Sequence, residues 1–184
     1  MTTHHWQPRL AREEDIPALE KLIEASVRQL LSAHYAPDVL EASLESTFGV
    51  DQQLIRDGTY FVVEHEGALV ACGGWSRRDT LYGWDRHRSK DAPLLDPAKD
   101  AARIRAFFVH PDWARKGLGR TMLQTSEDAA RAAGFSRVIL VGTLAGEQLY
   151  AAHGYVVEER FDSVLRDGLL LPVVRMGKGL ASVA

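Results

Sequence analysis

Apolar positions in this chain change period several times, and each change marks an element. Ile16, Leu19, Ile23, Val27 and Leu30 recur at helical spacing. They predict a helix entered at Asp15 and Pro17, since proline fits the first helical turn. Pro8 to Ala11 predicts a short strand before it. A second helix is expected from Pro37 to about Ser46, with Val39, Leu40 and Leu44 facing inward. Asp57-Gly58 then punctuates the chain as a turn. The β-formers of Thr59 to His65 and Leu69 to Trp75 flank Glu66-Gly67, the pattern of an antiparallel hairpin.

Periodicity is lost from Arg77 to Asp100, which is charged and holds two prolines. This reads as a long surface loop, functional or merely inserted. Trp75, Tyr82 and Trp84 border it, as candidates either to wall a pocket or simply to pack. Arg103 to Val109 is the next strand. Lys116 to Ala133 predicts a helix closed by Gly134, with Leu118, Met122, Ala129 and Ala133 toward the sheet. A strand at Arg137 to Val141, a short helix at Ala145 to His153 ended by Gly154, and strands at Tyr155 to Phe161 and Leu171 to Met176 complete the chain. Asp167-Gly168 marks the loop between the last two. The whole reads as one α/β domain over residues 1–184, without repeats or linkers.

Composition narrows the function classes. With 184 residues, 46% apolar and 26% charged, the chain suits one ordinary core. A net charge of −3 argues against a nucleic-acid partner. No apolar run is long enough for a membrane span, and the N-terminus lacks a signal-peptide pattern, so a cytoplasmic location is expected. The single cysteine, Cys72, excludes an intrachain disulfide and a cysteine-based zinc cluster, and reads as a buried, inert thiol. His4, His5, His34, His65, His87, His110 and His153 show no metal-ligand spacing, so no metal is expected.

The stretch richest in chemistry is Ile104 to Met122: an apolar strand, the His110-Pro111 turn, then Arg115-Lys116-Gly117-Leu118-Gly119-Arg120 opening a helix. Glycines admit a ligand close to the backbone. The first-turn N–H groups of a helix lack internal acceptors and attract anions. Arg115, Lys116 and Arg120 add positive charge. A Walker loop is excluded because no terminal Gly-Lys-Ser/Thr is present, and a dinucleotide fingerprint because Met122 stands where its third glycine or alanine belongs.

This stretch resembles the cofactor motif of the GNAT N-acetyltransferases, Arg/Gln-X-X-Gly-X-Gly/Ala, aligned as Ala114-Arg115-Lys116-Gly117-Leu118-Gly119. The first position departs from the family in being Ala114. Thr143 to Tyr155 resembles the family's second signature, with Tyr150 at its tyrosine and Gly154-Tyr155 at its end; Thr143 stands where many members have Asn. Cys72 to Arg78, followed by Thr80 to Gly83, resembles an uncharacterised bacterial subset of the family.

The resemblance implies an α/β GNAT-like fold, with a central, mixed, mostly antiparallel sheet flanked by helices. It implies acetyl-CoA as cosubstrate, an amine of a small molecule or peptide as acceptor, and direct transfer in a ternary complex. A homodimer is compatible with it. The amides of Arg115, Lys116, Gly117, Leu118, Gly119 and Arg120 would hold the pyrophosphate. The backbone of Phe107, Phe108 and Val109, with Thr143, would hold the pantetheine arm, and an N–H at Phe107 or Phe108 would polarise the thioester carbonyl. Tyr150, which read alone is a packing aromatic, becomes the acid that protonates the departing thiolate. No carboxylate begins the strand before the phosphate loop. Glu64, Asp85 and His34 are therefore base candidates by residue type alone. An acyl-CoA sensor of the same fold, without turnover, is the alternative.

Overall fold

The computed structural model describes residues 5–80 and 92–181. His4, Leu81, Tyr82, Gly83, Trp84, Asp85 and His87 lie outside them. Strand β1 (Arg9–Leu10) leads through a 3-10 turn into helix α1 (Ile16–Leu30), followed by α2 (Pro37–Ser46) and α3 (Gln52–Arg56). Hairpin strands β2 (Tyr60–His65) and β3 (Ala68–Ser76) precede β4 (Ala102–Val109) and helix α4 (Leu118–Ala132). Strand β5 (Arg137–Thr143), helix α5 (Glu147–Ala152), and strands β6 (Val156–Val164) and β7 (Leu170–Gly179) follow.

The strands form one seven-stranded sheet in the order β1-β2-β3-β4-β5-β7-β6. Every pairing is antiparallel except β4 with β5. A parallel pair needs a crossover, and α4 supplies it. The expected mixed, mostly antiparallel sheet flanked by helices is therefore the observed fold.

Two apolar faces hold the layers together. On one, Leu19, Ile23 and Val27 of α1 and Leu40 of α2 pack with Tyr60, Val62 and Cys72. On the other, Leu123 and Ala130 of α4 pack with Trp75, Ile104, Val138 and Met176. Trp75 thus belongs to the core: it is buried and meets Phe135 edge-on at 5.9 Å. Helix α2 has its expected bounds. The expected inward face of α4 holds at Leu118 and Met122, which are buried, and fails at Ala133. Ala130, Ser126 and Glu127 are buried there, whereas Ala133 is exposed and Ala129 half-buried. Glu127 is tolerated inside because it accepts from the Tyr155 hydroxyl at 3.0 Å and from Lys178 Nζ at 2.8 Å.

Helix α3 has no counterpart in the sequence reading. Its N-cap, Asp51, accepts the Leu54 N–H at 3.3 Å and also meets Arg105 Nη2 at 3.2 Å, with both side chains almost wholly buried. That ion pair ties α3 to β4.

Candidate functional site

Strands β4 and β5 are in register only at Ala102–Val138 and Arg103–Ile139. Beyond these pairs they diverge and a wedge opens. A bulge bends β4 at the same place: its register against β3 shifts between Cys72 and Gly74, and Ala106 adopts φ +56°. The Ala106 carbonyl is fixed by the Tyr60 hydroxyl, which donates to it at 3.2 Å. The Phe107 ring lies against Gly73, where an added Cβ would come within 2.3 Å of it. No side chain but glycine's leaves that room.

The wedge continues into a cleft of about 540 Å³. Phe107, Phe108 and Val109 form one wall, Thr143 and Tyr150 the other, and Arg115, Gly117, Leu118, Gly119 and Arg120 one end. The structure thus brings together the site residues expected from the sequence, with one exception. Lys116 does not line the cleft. Its Nζ stands 4.2 Å from the Trp113 ring centre and donates to the Asp112 carbonyl at 2.9 Å.

The phosphate loop is built by local geometry. Pro111–Trp113 forms a 3-10 turn capped by His110 Nδ1, which accepts the Asp112 N–H at 3.3 Å. Arg115 and Gly117 then take positive φ, +64° and +86°. This reverses the chain so that α4 begins pointing at the cleft. The first amide bonded within this turn is Thr121 N–H, to the Gly117 carbonyl at 3.0 Å. The amides of Leu118, Gly119 and Arg120 precede it and are the orphan donors of the helix start. Exposed Arg115 and Arg120 flank them. Three convergent N–H groups, two guanidinium groups and the dipole of a long helix fit a pyrophosphate.

Tyr150 projects from α5 into the cleft. Its ring is wedged between two glycines, with Cε2 only 2.8 Å from an added Cβ at Gly142 and 2.9 Å at Gly146. Tyr155 supports it from behind, edge-on at 5.9 Å. The Tyr150 hydroxyl has no hydrogen-bond partner among the described residues, and burial pushes the phenol up to about 12. It therefore keeps its proton at neutral pH and is free to donate it. Thr143 Oγ1 accepts the Gly146 N–H at 3.3 Å, and so shapes the turn that carries Tyr150.

A smaller cavity of about 100 Å³ adjoins the wedge on the α2–α3 side, lined by Phe48, Asp51, Arg105, Phe108, Tyr150 and Ser163 among others. The sequence reading missed this wall. Two signals were present: Asp51 before Gln52-Gln53-Leu54 is an N-cap pattern, and Arg105 within an apolar strand run demands a buried partner. Among the base candidates, His34 lines the main cleft from the turn that follows α1. Glu64 instead pairs with Arg9 at 3.1 Å on the outer strands, and Asp85 lies outside the described residues. Cys72 also borders the cleft, but burial raises its thiol to about 12, which makes it inert as expected. Among the described residues no group of His, Cys, Asp and Glu could hold a metal, and no helix is long and apolar enough to cross a membrane.

The sequence model of the Acetyltransferase (GNAT) family matches residues 24–155. No curated protein matches the chain. Among solved structures, the fold is similar to the GCN5-related N-acetyltransferase of Rhodopseudomonas palustris, with TM-score 0.72, 20% identity, and coverage of 98% of this chain and 99% of that one. It is also similar to the PaiA N-acetyltransferase of Thermoplasma acidophilum in complex with coenzyme A, with TM-score 0.64, 12% identity, and coverage of 96% and 99%. YncA of Salmonella typhimurium, solved with its cofactor acetyl-CoA, matches with TM-score 0.61, 19% identity, and coverage of 98% and 97%.

Proposed function

The chain belongs to the acetyltransferase (GNAT) family, and from that premise we propose that it moves an acetyl group from acetyl-CoA to the amine of a small molecule or peptide, by direct attack in a ternary complex. One observation carries this reading. A single cleft, opened by the divergence of β4 from β5, has orphan helix amides at one end and the free Tyr150 hydroxyl on its wall.

Acetyl-CoA, when bound, supplies an acetyl thioester. The Leu118, Gly119 and Arg120 amides, with Arg115 and Arg120, hold its pyrophosphate. Strand alternation supports Phe107 as the oxyanion donor. The His110 N–H bonds to Val70 on β3 at 2.9 Å, and the Phe108 N–H faces Cys72 on the same side. By alternation the Phe107 N–H belongs on the opposite side, and we assign it to polarise the reacting carbonyl in the cleft that Phe107 lines. Tyr150 donates its proton to the departing sulfur. Of the base candidates His34 lines the cleft, which supports it as the group that takes up the proton lost by the amine.

Thermal shift tests the cofactor. Acetyl-CoA at a hundredfold excess over its Kd is expected to stabilise the protein by about 2.7 kcal/mol. Stabilisation by ATP or NAD alone would overturn the reading. Thiol release with a panel of small and peptide amines then tests turnover.

The glycines around Tyr150 make a sharper test. In Gly142→Ala the new Cβ, 2.8 Å from Cε2, must push the ring off its position. The expected result is a loss of thiol-release rate of about tenfold or more, with a stability cost of about 1–3 kcal/mol. An unchanged rate would mean that the ring position is irrelevant to turnover.

A further inference from the structure

Just before β1, Trp6 packs against the phosphate loop. Trp6 Nε1 donates to the Lys116 carbonyl at 2.8 Å, across 110 residues of sequence. Its ring meets Trp113 edge-on at 5.7 Å and His65 at 5.8 Å, and His65 meets Trp113 at 4.4 Å. It also packs on the apolar cluster of Leu118 and Met122, the first turns of α4. Lys116 is held on the same side by the Trp113 ring and the Asp112 carbonyl. Three aromatic side chains from three separate segments therefore converge on the outer side of one peptide unit.

That peptide joins Lys116 to Gly117. In a trans peptide the C=O and N–H point in opposite directions. With the Lys116 carbonyl bound outward by Trp6, the Gly117 N–H is turned inward, to the cleft that Gly117 lines. Gly117, at φ +86°, borders this peptide, and Arg115, at φ +64°, stands one residue before it. Its plane is free to rotate unless something outside fixes it, because a glycine is conformationally permissive.

We propose that Trp6 is a positioning residue for cofactor binding: its indole N–H holds the Lys116–Gly117 peptide in the orientation that adds a fourth amide, Gly117 N–H, to the pyrophosphate cradle. The inference rests on the acetyl-CoA reading above. It predicts an effect confined to ligands that carry the pyrophosphate. Trp6→Phe keeps a ring and removes the donor. Its KM and Kd for acetyl-CoA are expected to rise about 3- to 10-fold, the effect of one lost hydrogen bond, with kcat unchanged. With acetyl-pantetheine, which lacks the pyrophosphate, kcat/KM should be equal in the variant and the wild type. Trp6→Ala, which also removes the ring, should raise the acetyl-CoA KM further. Equal acetyl-CoA affinity in Trp6→Phe and wild type would overturn the proposal. So would a parallel loss with both thioesters, because that is the mark of general destabilisation. Failure of the wild type to bind acetyl-CoA at all would instead overturn the cofactor reading, and titration calorimetry on the wild type separates these outcomes.

Discussion

Replacing Tyr150 by phenylalanine is expected to lower kcat for thiol release at least about a hundredfold, while the KM for acetyl-CoA stays within about twofold of the wild type. The reasoning is local. The ring is already positioned by Gly142, Gly146 and Tyr155, and all three contacts survive the loss of one oxygen. The hydroxyl has no partner among the described residues, so removing it orphans no buried group and should leave the melting temperature almost unchanged. What disappears is a proton donor. Because burial raises the phenol to about 12, wild-type activity should show no decline due to this group between pH 7 and pH 10. The acid form predominates until the pH approaches the raised value. Steady-state rates of the two proteins across that range, with a thermal melt of each, check both statements. A variant that matches the wild type would return Tyr150 to the role of a packing aromatic. A wild type that binds acetyl-CoA yet releases thiol with no amine would favour the sensor reading, which Ala114 and the missing carboxylate at the start of β4 also motivate.

The largest effect on stability is expected from Asp51→Ala. Asp51 and Arg105 meet at 3.2 Å with side chains 1% and 3% exposed. Removing the carboxylate takes the Asp51 charge away from a buried guanidinium and the N-cap from α3. The expected cost is about 3–5 kcal/mol, or a fall of about 10 °C in Tm for a chain of this size. The ion pair itself need not stabilise the fold, because two charges lose much of their attraction to desolvation. Asp51→Ala combined with Arg105→Met should therefore recover more than half of the loss. Denaturant melts of the wild type, both single variants and the double variant give the coupling directly. A cost below about 1 kcal/mol for Asp51→Ala would show that other groups satisfy Arg105.

Much of the fold was legible because it depends on near neighbours in the chain. The helical spacing of Leu19, Ile23 and Val27, the proline entering α2 and the turn at Glu66-Gly67 act within a few residues, and each element formed where they point. Helix α3 escaped because five residues are too short to show a period. The inward face of α4 departs from expectation at Ala133 because alanines carry little signal, and at Glu127 because it looks like a surface residue until Tyr155 and Lys178, remote in sequence, arrive beside it.

The candidate site divides in the same way. The anion cradle was readable from Arg115 to Arg120, since a glycine-bearing loop and the helix start that follows it are contiguous in the chain. The sequence alone also settled what the loop is not, through Met122 and the absent Lys-Ser/Thr. Only the tertiary structure decided that Lys116 turns outward onto Trp113, that Trp6 braces the loop, that two glycines seat the Tyr150 ring, and that β4 leaves β5 after two residue pairs to open the cleft. The reason is physical. Local propensity fixes the backbone of a segment, but the direction of a side chain and the separation of two strands depend on partners that only folding brings into contact.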